Sequence, residues 1–388
     1  MNKDQKKNSK AKQVSNAFVI SQYYGFDAID LPDITKEEKD IAEKIKKGIN
    51  YEHSDLPSVE HKIALIKSHK DKDFEIHDPA MLYCESNNKS GKTVAGEKNI
   101  QLQIIGTPKS IAEAILIKTA LCILNEEGYK DIALEINNVG GKESFPNFLR
   151  ELTNYYKKHL NEMDADCRQL FKDGPHALVT CGTTLKPEIK SHSPSPLNYL
   201  TESNRTNFKE VIEFLDSEEI PYDVNKDILG NPHYSTNTVF TIIDKKNGKI
   251  LATGSRFNQL AKKSGHKKDL PSIGVTLKIS KPKQVPSSRL PKPDKVKFFF
   301  IQIGFQAKLK SLKVLEMLRQ SKIPTYHTIT RDKLTNQIAK AKKLKVPYLL
   351  IMGQKEALEN SVVVRDTQSH SQTAINIKDL IEYLQKLP

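Results

Sequence analysis

Apolar positions recur along this chain with two distinct periods. From Val14 to Tyr24 they follow helical spacing; after Gly25 the run Phe26-Asp27-Ala28-Ile29-Asp30-Leu31 alternates until Pro32, which predicts a helix and then a strand. A helix is predicted over Ser58–His69. Another, over Ile111–Leu124, sets Ile111, Ala114, Ile115, Ile117, Leu121 and Ile123 against Lys109, Glu113 and Lys118, and stops at Glu127-Gly128. Helices are also predicted at Phe145–Asn161 and Thr206–Ser217. Strand patterns fall at Ile100–Ile105, Ala133–Ile136, Ala177–Thr180, Thr238–Ile243, Ile250–Ala252 and Ile273–Ile279.

Four prolines without apolar periodicity mark Ser280–Pro293 as an exposed, semi-extended linker. Beyond it strands and helices alternate: Phe298–Ile303, helix Ala307–Arg319, Pro324–Thr328, helix Lys333–Leu344, Pro347–Met352, Ser361–Val364, Ala374–Ile377 and a last helix Lys378–Leu387. This alternation predicts a small α/β domain with a mostly parallel sheet, attached to a larger α+β body. The expected division is a basic disordered tail at 1–13, a core at 14–280, a Pro/Lys-rich linker at 281–295 and the α/β domain at 296–388.

Composition adds direction. The formal net charge is +14, and from Lys281 onward basic residues exceed acidic ones by 13, so the core is nearly neutral. Such asymmetry fits either a domain that meets a polyanion or a solubilising lysine surface. No run approaches the length of a membrane span, and no apolar stretch follows the basic N-terminal residues, so neither a span nor a secretory signal is expected. Cys84, Cys122, Cys167 and Cys181 lack CxxC spacing, which fits a reducing cytoplasm rather than a disulfide or zinc scaffold. The histidines have no paired spacing on a helix, so no metal site is expected. Ser86-Asn87-Asn88-Lys89-Ser90-Gly91-Lys92-Thr93 imitates a phosphate loop but lacks the strand before and the helix after that the motif requires; a hairpin is expected there.

An ordered series of motifs resembles the histidyl-tRNA synthetase family. Leu134-Glu135-Ile136-Asn137-Asn138-Val139-Gly140 resembles its Leu-x-Ile-Asn-x-Leu-Gly. Ser193–Tyr222 resembles its insertion region, which is expected to span about 160–225. Pro232–Phe240 resembles its histidine motif, and Thr253-Gly254-Ser255-Arg256-Phe257-Asn258 its Gly-Gly-Gly-Arg-Tyr-Asp. The basic C-terminal domain is similar to the anticodon-binding domain of several class II synthetases. The likeness covers about residues 14–388 in family order. It implies a class II antiparallel sheet core with helices, a homodimer through Tyr23–Pro32 with Pro32 at the interface, and tRNA or another structured RNA as partner.

The positions that carry activation in that family are altered. Met81-Leu82-Tyr83-Cys84-Glu85 matches its second motif, with Glu85 kept and Tyr83 in place of an arginine. Asn99 and Gln103 stand for the Gln and Glu that would engage histidine. Gly230 and Lys281 stand where two further arginines belong. Joining a carboxylate to ATP requires fixed, forked cations, and losing one preorganised donor costs on the order of 10²–10³ in rate. What the resemblance leaves as altered ATP/histidine-binding residues is Glu85, Asn99, Gln103, Tyr234 and Arg256. The catalytic residues stay unknown.

The expected function is therefore an RNA-binding synthetase paralogue whose aminoacylation is lost or strongly impaired. A working histidine–tRNA ligase, using ATP and Mg and arginines from other positions, is the alternative. A regulatory subunit of histidine biosynthesis is a third reading, against which the C-terminal domain counts. Within that domain the expected RNA contacts are Lys308, Lys310, Lys313, Arg331, Lys333, Lys340 and Lys343, with Tyr326 or Phe305 for base stacking.

Overall fold

A computed structural model describes residues 13–47, 58–71, 79–87, 96–181, 185–290, 296–331 and 333–388. The N-terminal tail, most of the phosphate-loop-like run and the end of the linker lie outside these residues.

The larger body runs β1 (Gln13–Ser15), α1 (Asn16–Tyr23), β2 (Asp27–Ala28), α2 (Lys36–Lys46), α3 (Val59–Asp71), β3 (Ala80–Asn87), β4 (Glu97–Ile105), α4 (Ile111–Glu127) and β5 (Ile132–Asn138). It continues through α5 (Ser144–Lys158), α6 (Ala165–Lys172), α7 (Pro175–Cys181), α8 (Pro187–Ser191), α9 (Glu202–Ser217), β6 (Tyr222–Val224), β7 (Thr236–Asp244), β8 (Ile250–Arg256), α10 (Leu260–Lys263), β9 (Ser272–Ser280) and β10 (Gln284–Pro286). Eight of these strands form one sheet in the order β2-β3-β4-β9-β8-β7-β5-β6. Its central pairings are all antiparallel; β2 with β3 and β5 with β6 at the two edges are parallel.

Local chemistry accounts for the helix ends. Thr35 and Glu38 form a reciprocal capping box at the start of α2, and Lys44 and Lys46 sit at its carbonyl end. Gly128 ends α4 with φ 107. Helix α4 is apolar nearly all round, because it is sandwiched between the sheet, α1, α9 and the C-terminal domain. Glu113, expected on its polar side, is buried as well.

Ala177–Thr180, expected as a strand, lies inside α7. Short apolar runs do not distinguish strand from helix by period, and here Pro175 at the first helical position favours the helix. The proline-rich linker begins as β10, which pairs antiparallel with β1 so that Val285 faces Val14.

The C-terminal part contains β11 (Phe298–Gln302), α11 (Phe305–Gln320), β12 (Thr325–His327), α12 (Leu334–Leu344), β13 (Tyr348–Met352), α13 (Gln354–Leu358), β14 (Ser361–Asp366), β15 (Gln372–Asn376) and α14 (Leu380–Gln385). Its sheet has the order β12-β11-β13-β14-β15. The first three strands are parallel, and the last two close antiparallel as a hairpin. The two sheets share one apolar cluster, in which Phe305 meets Phe214 edge-on at 5.3 Å. Beside it Glu316 accepts from Tyr24 Oη at 2.5 Å and from Arg319 at 2.8 Å, and Arg319 also reaches Glu126 at 3.1 Å. No helix among the described residues is long and apolar enough to cross a membrane.

Candidate functional site

Strand alternation gives the large sheet two chemically different faces. On one, Met81 and Tyr83 (β3), Ile100, Leu102 and Ile104 (β4) and Ile273, Val275, Leu277 and Ile279 (β9) pack beneath α1 and α4. On the other, register sets Cys84 opposite Gln101, and Gln101 opposite Thr276. Asn99 lies opposite Lys278, and Gln103 opposite Gly274. This second face is polar at its centre. Helices α2 and α3 close over it, packing Ala42, Val59, Ile63 and Ile66 against Tyr234 and Phe257.

The centre of the polar face is Gln103, which is fully buried. Its Oε1 accepts from Nζ of Lys62 at 3.2 Å, and the same Nζ lies 4.5 Å from the centroid of the Phe257 ring. Tyr234 stands edge-on to that ring at 6.5 Å. Burial pushes the Lys62 amine down to about 7 and the neighbouring Cys84 thiol up to about 12. Gly274 is required here by close approach: a Cβ on it would lie 2.0 Å from Gln103 Oε1. Gln103 Nε2, Gln101 Oε1, Thr276 Oγ1 and Asn99 Oδ1 are buried without a hydrogen-bond partner among the described residues. An unpartnered buried polar atom costs about 1–3 kcal/mol, so a row of four marks a face built for something other than stability.

The structure brings together Asn99, Gln103 and Tyr234 and holds the other expected residues apart from them. Tyr83 and Glu85 alternate onto the α1 face. There Tyr83 donates to Glu85, Ser15 Oγ lies 3.0 Å from Tyr83 Oη, Phe18 packs on the Tyr83 ring at 5.3 Å, and Lys98 reaches Glu85 at 3.0 Å. Burial alone would raise the Glu85 carboxyl, but hydrogen bonds from Ser15, Tyr83 and Lys98 outweigh it and hold the group below its ordinary value. The β3 side chains that do face Gln101 and Asn99 are Cys84 and Ser86.

Arg256 is also turned away. Its guanidinium is buried against α4, with Nε and Nη2 each 2.5 Å from a Glu113 oxygen and Nη1 and Nη2 on the carbonyls of Thr107 and Lys109 at 3.0 Å. Four of its five N–H donors are spent within the fold. Gly230 has φ 67, and a Cβ there would lie 2.6 Å from Ser235 Oγ and 2.9 Å from Val239 Cγ1, so this backbone leaves no place for an arginine. Lys281 is exposed beyond the end of β9 at φ 53, its amide bonded to Gly96. Pro32 is half-buried just past edge strand β2.

The basic residues of the C-terminal part divide by helix. On α11, Lys308 is buried, Lys310 bonds Asn360, and Lys313 reaches Glu219 of the larger body at 3.3 Å. Around α12, Lys333, Lys340 and Lys343 are exposed, and Arg331 is half-buried. Phe305 is occupied by its contact with Phe214, and Tyr326 is partly buried among Phe299, Ile301 and Ala341.

Sequence reasoning missed Lys62, Phe257 and Glu113. Lys62 had a readable signal: with Val59, Ile63 and Ile66 it falls at i, i+3, i+4 and i+7, a lysine inside an apolar stripe. Glu113 had none, because its partner lies 143 residues away on β8.

An antiparallel-rich sheet core is joined to a part with its own sheet, and within that part residues 297–387 match the family described as anticodon binding domain. Histidine–tRNA ligase of Bacillus velezensis is 23% identical over 290 residues, covering 73% of this chain and 68% of the relative. That of Fervidobacterium nodosum is 27% identical over 296 residues, covering 73% and 70%. Among solved structures, apo histidyl-tRNA synthetase of S. aureus aligns over 95% of this chain and 93% of its own at 19% identity and a TM-score of 0.48. An ATP phosphoribosyltransferase regulatory subunit/histidyl-tRNA synthetase from Bacillus halodurans aligns over 87% and 92% at 14% identity and a TM-score of 0.44. The chain is thus similar to histidine–tRNA ligases over about three quarters of its length and matches an anticodon binding domain at its C-terminal end.

Proposed function

We propose that this chain binds tRNA or another structured RNA through its C-terminal domain, and that its histidine activation is lost or strongly impaired. One observation carries the reading: around Gln103 the polar face holds amides, hydroxyls, a thiol, caged Lys62 and half-buried Lys278, with no arginine among the described residues. Activation brings two anions together and depends on preorganised, forked cations at the phosphates. Of the arginines in the sequence, the first is Arg150, and Arg256, the one on a core strand, is bound to Glu113. Magnesium fits no better, since a hard cation is usually held by at least one carboxylate, and Cys84, Ser86, Asn99, Gln101, Gln103 and Thr276 offer only neutral groups. No catalytic step is derived through it.

Histidine-dependent ATP–pyrophosphate exchange is the test. The expected rate is at least about 10⁴-fold below that of an active relative assayed beside it, the product of two lost donors. Exchange within tenfold of that relative removes the reading. It would favour a divergent working ligase, for which half-buried Lys278, opposite Asn99 on the same face, is the supporting observation.

For RNA, the exposed lysines of α12 are the better half of the basic set. Each phosphate a lysine neutralises adds roughly 0.7–0.9 to the slope of log affinity against log salt. Lys333→Ala/Lys340→Ala/Lys343→Ala is expected to lower that slope by about 2–3 in filter binding across a salt series, while Lys310→Ala/Lys313→Ala changes it by less than about 1. An unchanged slope in the α12 variant would move the interface elsewhere. A homodimer through Tyr23–Pro32 and a cytoplasmic setting belong to the same reading.

A further inference from the structure

The Lys62 side chain is held as a bound ligand would be held. It descends from the apolar face of α3 into a buried chamber, places Nζ 3.2 Å from Gln103 Oε1 and 4.5 Å from the Phe257 centroid, and is 2% exposed. Nothing in ordinary folding asks for this. An isolated lysine in a core is costly, and a methionine would fill the same volume without desolvating an amine. The floor beneath it is equally specific: Gly274 leaves the room that Gln103 occupies, and Gln103 Nε2 and Gln101 Oε1 remain without partners among the described residues.

We propose that this chamber is a primary-amine site and that Lys62 is its tethered occupant, filling from within the polar pocket over Gln103 that an external ligand would have to enter. The inference rests on the reading that activation is lost, and it supplies a reason besides the missing arginines: the polar pocket is filled by the chain itself. A carbonyl oxygen and an aromatic face receive the N–H donors of an amine, and Tyr234 and the α3 residues Ile63 and Ile66 line the apolar walls that its alkyl stem needs. Because burial strips the chamber of water and no carboxylate of the described residues meets the Lys62 amine, it favours the neutral amine over the ammonium, in keeping with the downward shift of Lys62 to about 7.

Chemical rescue tests this on the full chain. Lys62→Ala removes three carbons and one nitrogen, the substance of n-propylamine. Added n-propylamine is expected to raise the melting temperature of the Lys62→Ala protein saturably, by roughly 2–4 °C, and to leave wild type unmoved. Because the amine enters neutral, its apparent affinity should rise up to about tenfold per pH unit between pH 7.5 and 9.5. Equal rescue by n-propanol, no pH dependence, or the same shift in wild type would each overturn the proposal. Should Lys62→Ala not fold, acetylation mapping of native wild type by mass spectrometry decides: Lys62 is expected to stay unmodified while exposed Lys281 reacts, and full acetylation of Lys62 in the folded protein overturns the proposal. Rescue reads the chamber and pyrophosphate exchange reads the chemistry, so failure of one is distinguishable from failure of the other.

Discussion

Glu113→Gln is expected to destabilise the protein by about 3–5 kcal/mol, the usual cost of leaving one member of a buried ion pair uncompensated. Glu113 is fully buried and Arg256 is 1% exposed, and Glu113 also accepts from Thr238 Oγ1 at 3.2 Å. Glutamine keeps the shape but removes the charge that faces Nε and Nη2 of Arg256. The carbonyls of Thr107 and Lys109 then hold the guanidinium alone. Thermal denaturation should show a midpoint lower by roughly 10 °C. The double variant Glu113→Leu/Arg256→Met should recover most of that loss, because neither charge is left unmatched. If the double variant were no better than the single one, the pair would not be the interaction at stake. The same experiment separates a structural arginine from a ligand-binding one, since restored stability without any change in RNA binding is the structural outcome.

Lys62→Met is expected to stabilise the protein by about 2–4 kcal/mol at pH 6 and to cost about 1 kcal/mol at pH 10. Burial holds the Lys62 amine at about 7, whereas in the unfolded chain it sits near 10.4. Between these values the unfolded chain binds more protons, so the wild-type fold gains stability as pH rises through the interval. Below it both states are protonated and the fold bears the whole cost of the buried ammonium, a ceiling of about 4–5 kcal/mol at ~1.4 kcal/mol per pKa unit. Above the interval the lysine is neutral in both states, and methionine loses only the hydrogen bond to Gln103. The measured quantity is the difference in unfolding free energy between variant and wild type from pH 6 to 10. A difference that stays flat across that range would mean that Lys62 keeps an ordinary lysine pKa.

Much of the architecture was legible along the chain because it rests on local period. The long apolar helix from Ile111, the strands at Ile100, Thr238 and Ile273, and the alternation after Phe298 reappear as α4, β4, β7, β9 and the strands and helices that follow β11. The reading of the second sheet as mostly parallel held for β12, β11 and β13 and not for β14 and β15, since a short turn at residues 367–371 joins that last pair as a hairpin. The site was less legible. Tyr83 and Glu85 align with motif residues, yet one-residue alternation decides which face a side chain takes, and the paired register of β3 with β4 turns Cys84 and Ser86 toward Gln103 instead.

By itself the sequence determined the order of elements, a resemblance that sets Tyr83, Gly230 and Lys281 where arginines are expected, and the concentration of positive charge beyond Lys281. These are properties of spacing and composition, which need no folding to be counted. Only the tertiary structure decided that Arg256 serves Glu113, that Lys308 is buried and Lys313 paired with Glu219 while Lys340 and Lys343 remain exposed, and that Lys62 fills the chamber over Gln103. Each of those facts depends on a partner 41 to 143 residues away or on the face a residue presents, and pairing register and burial, rather than local propensity, set both.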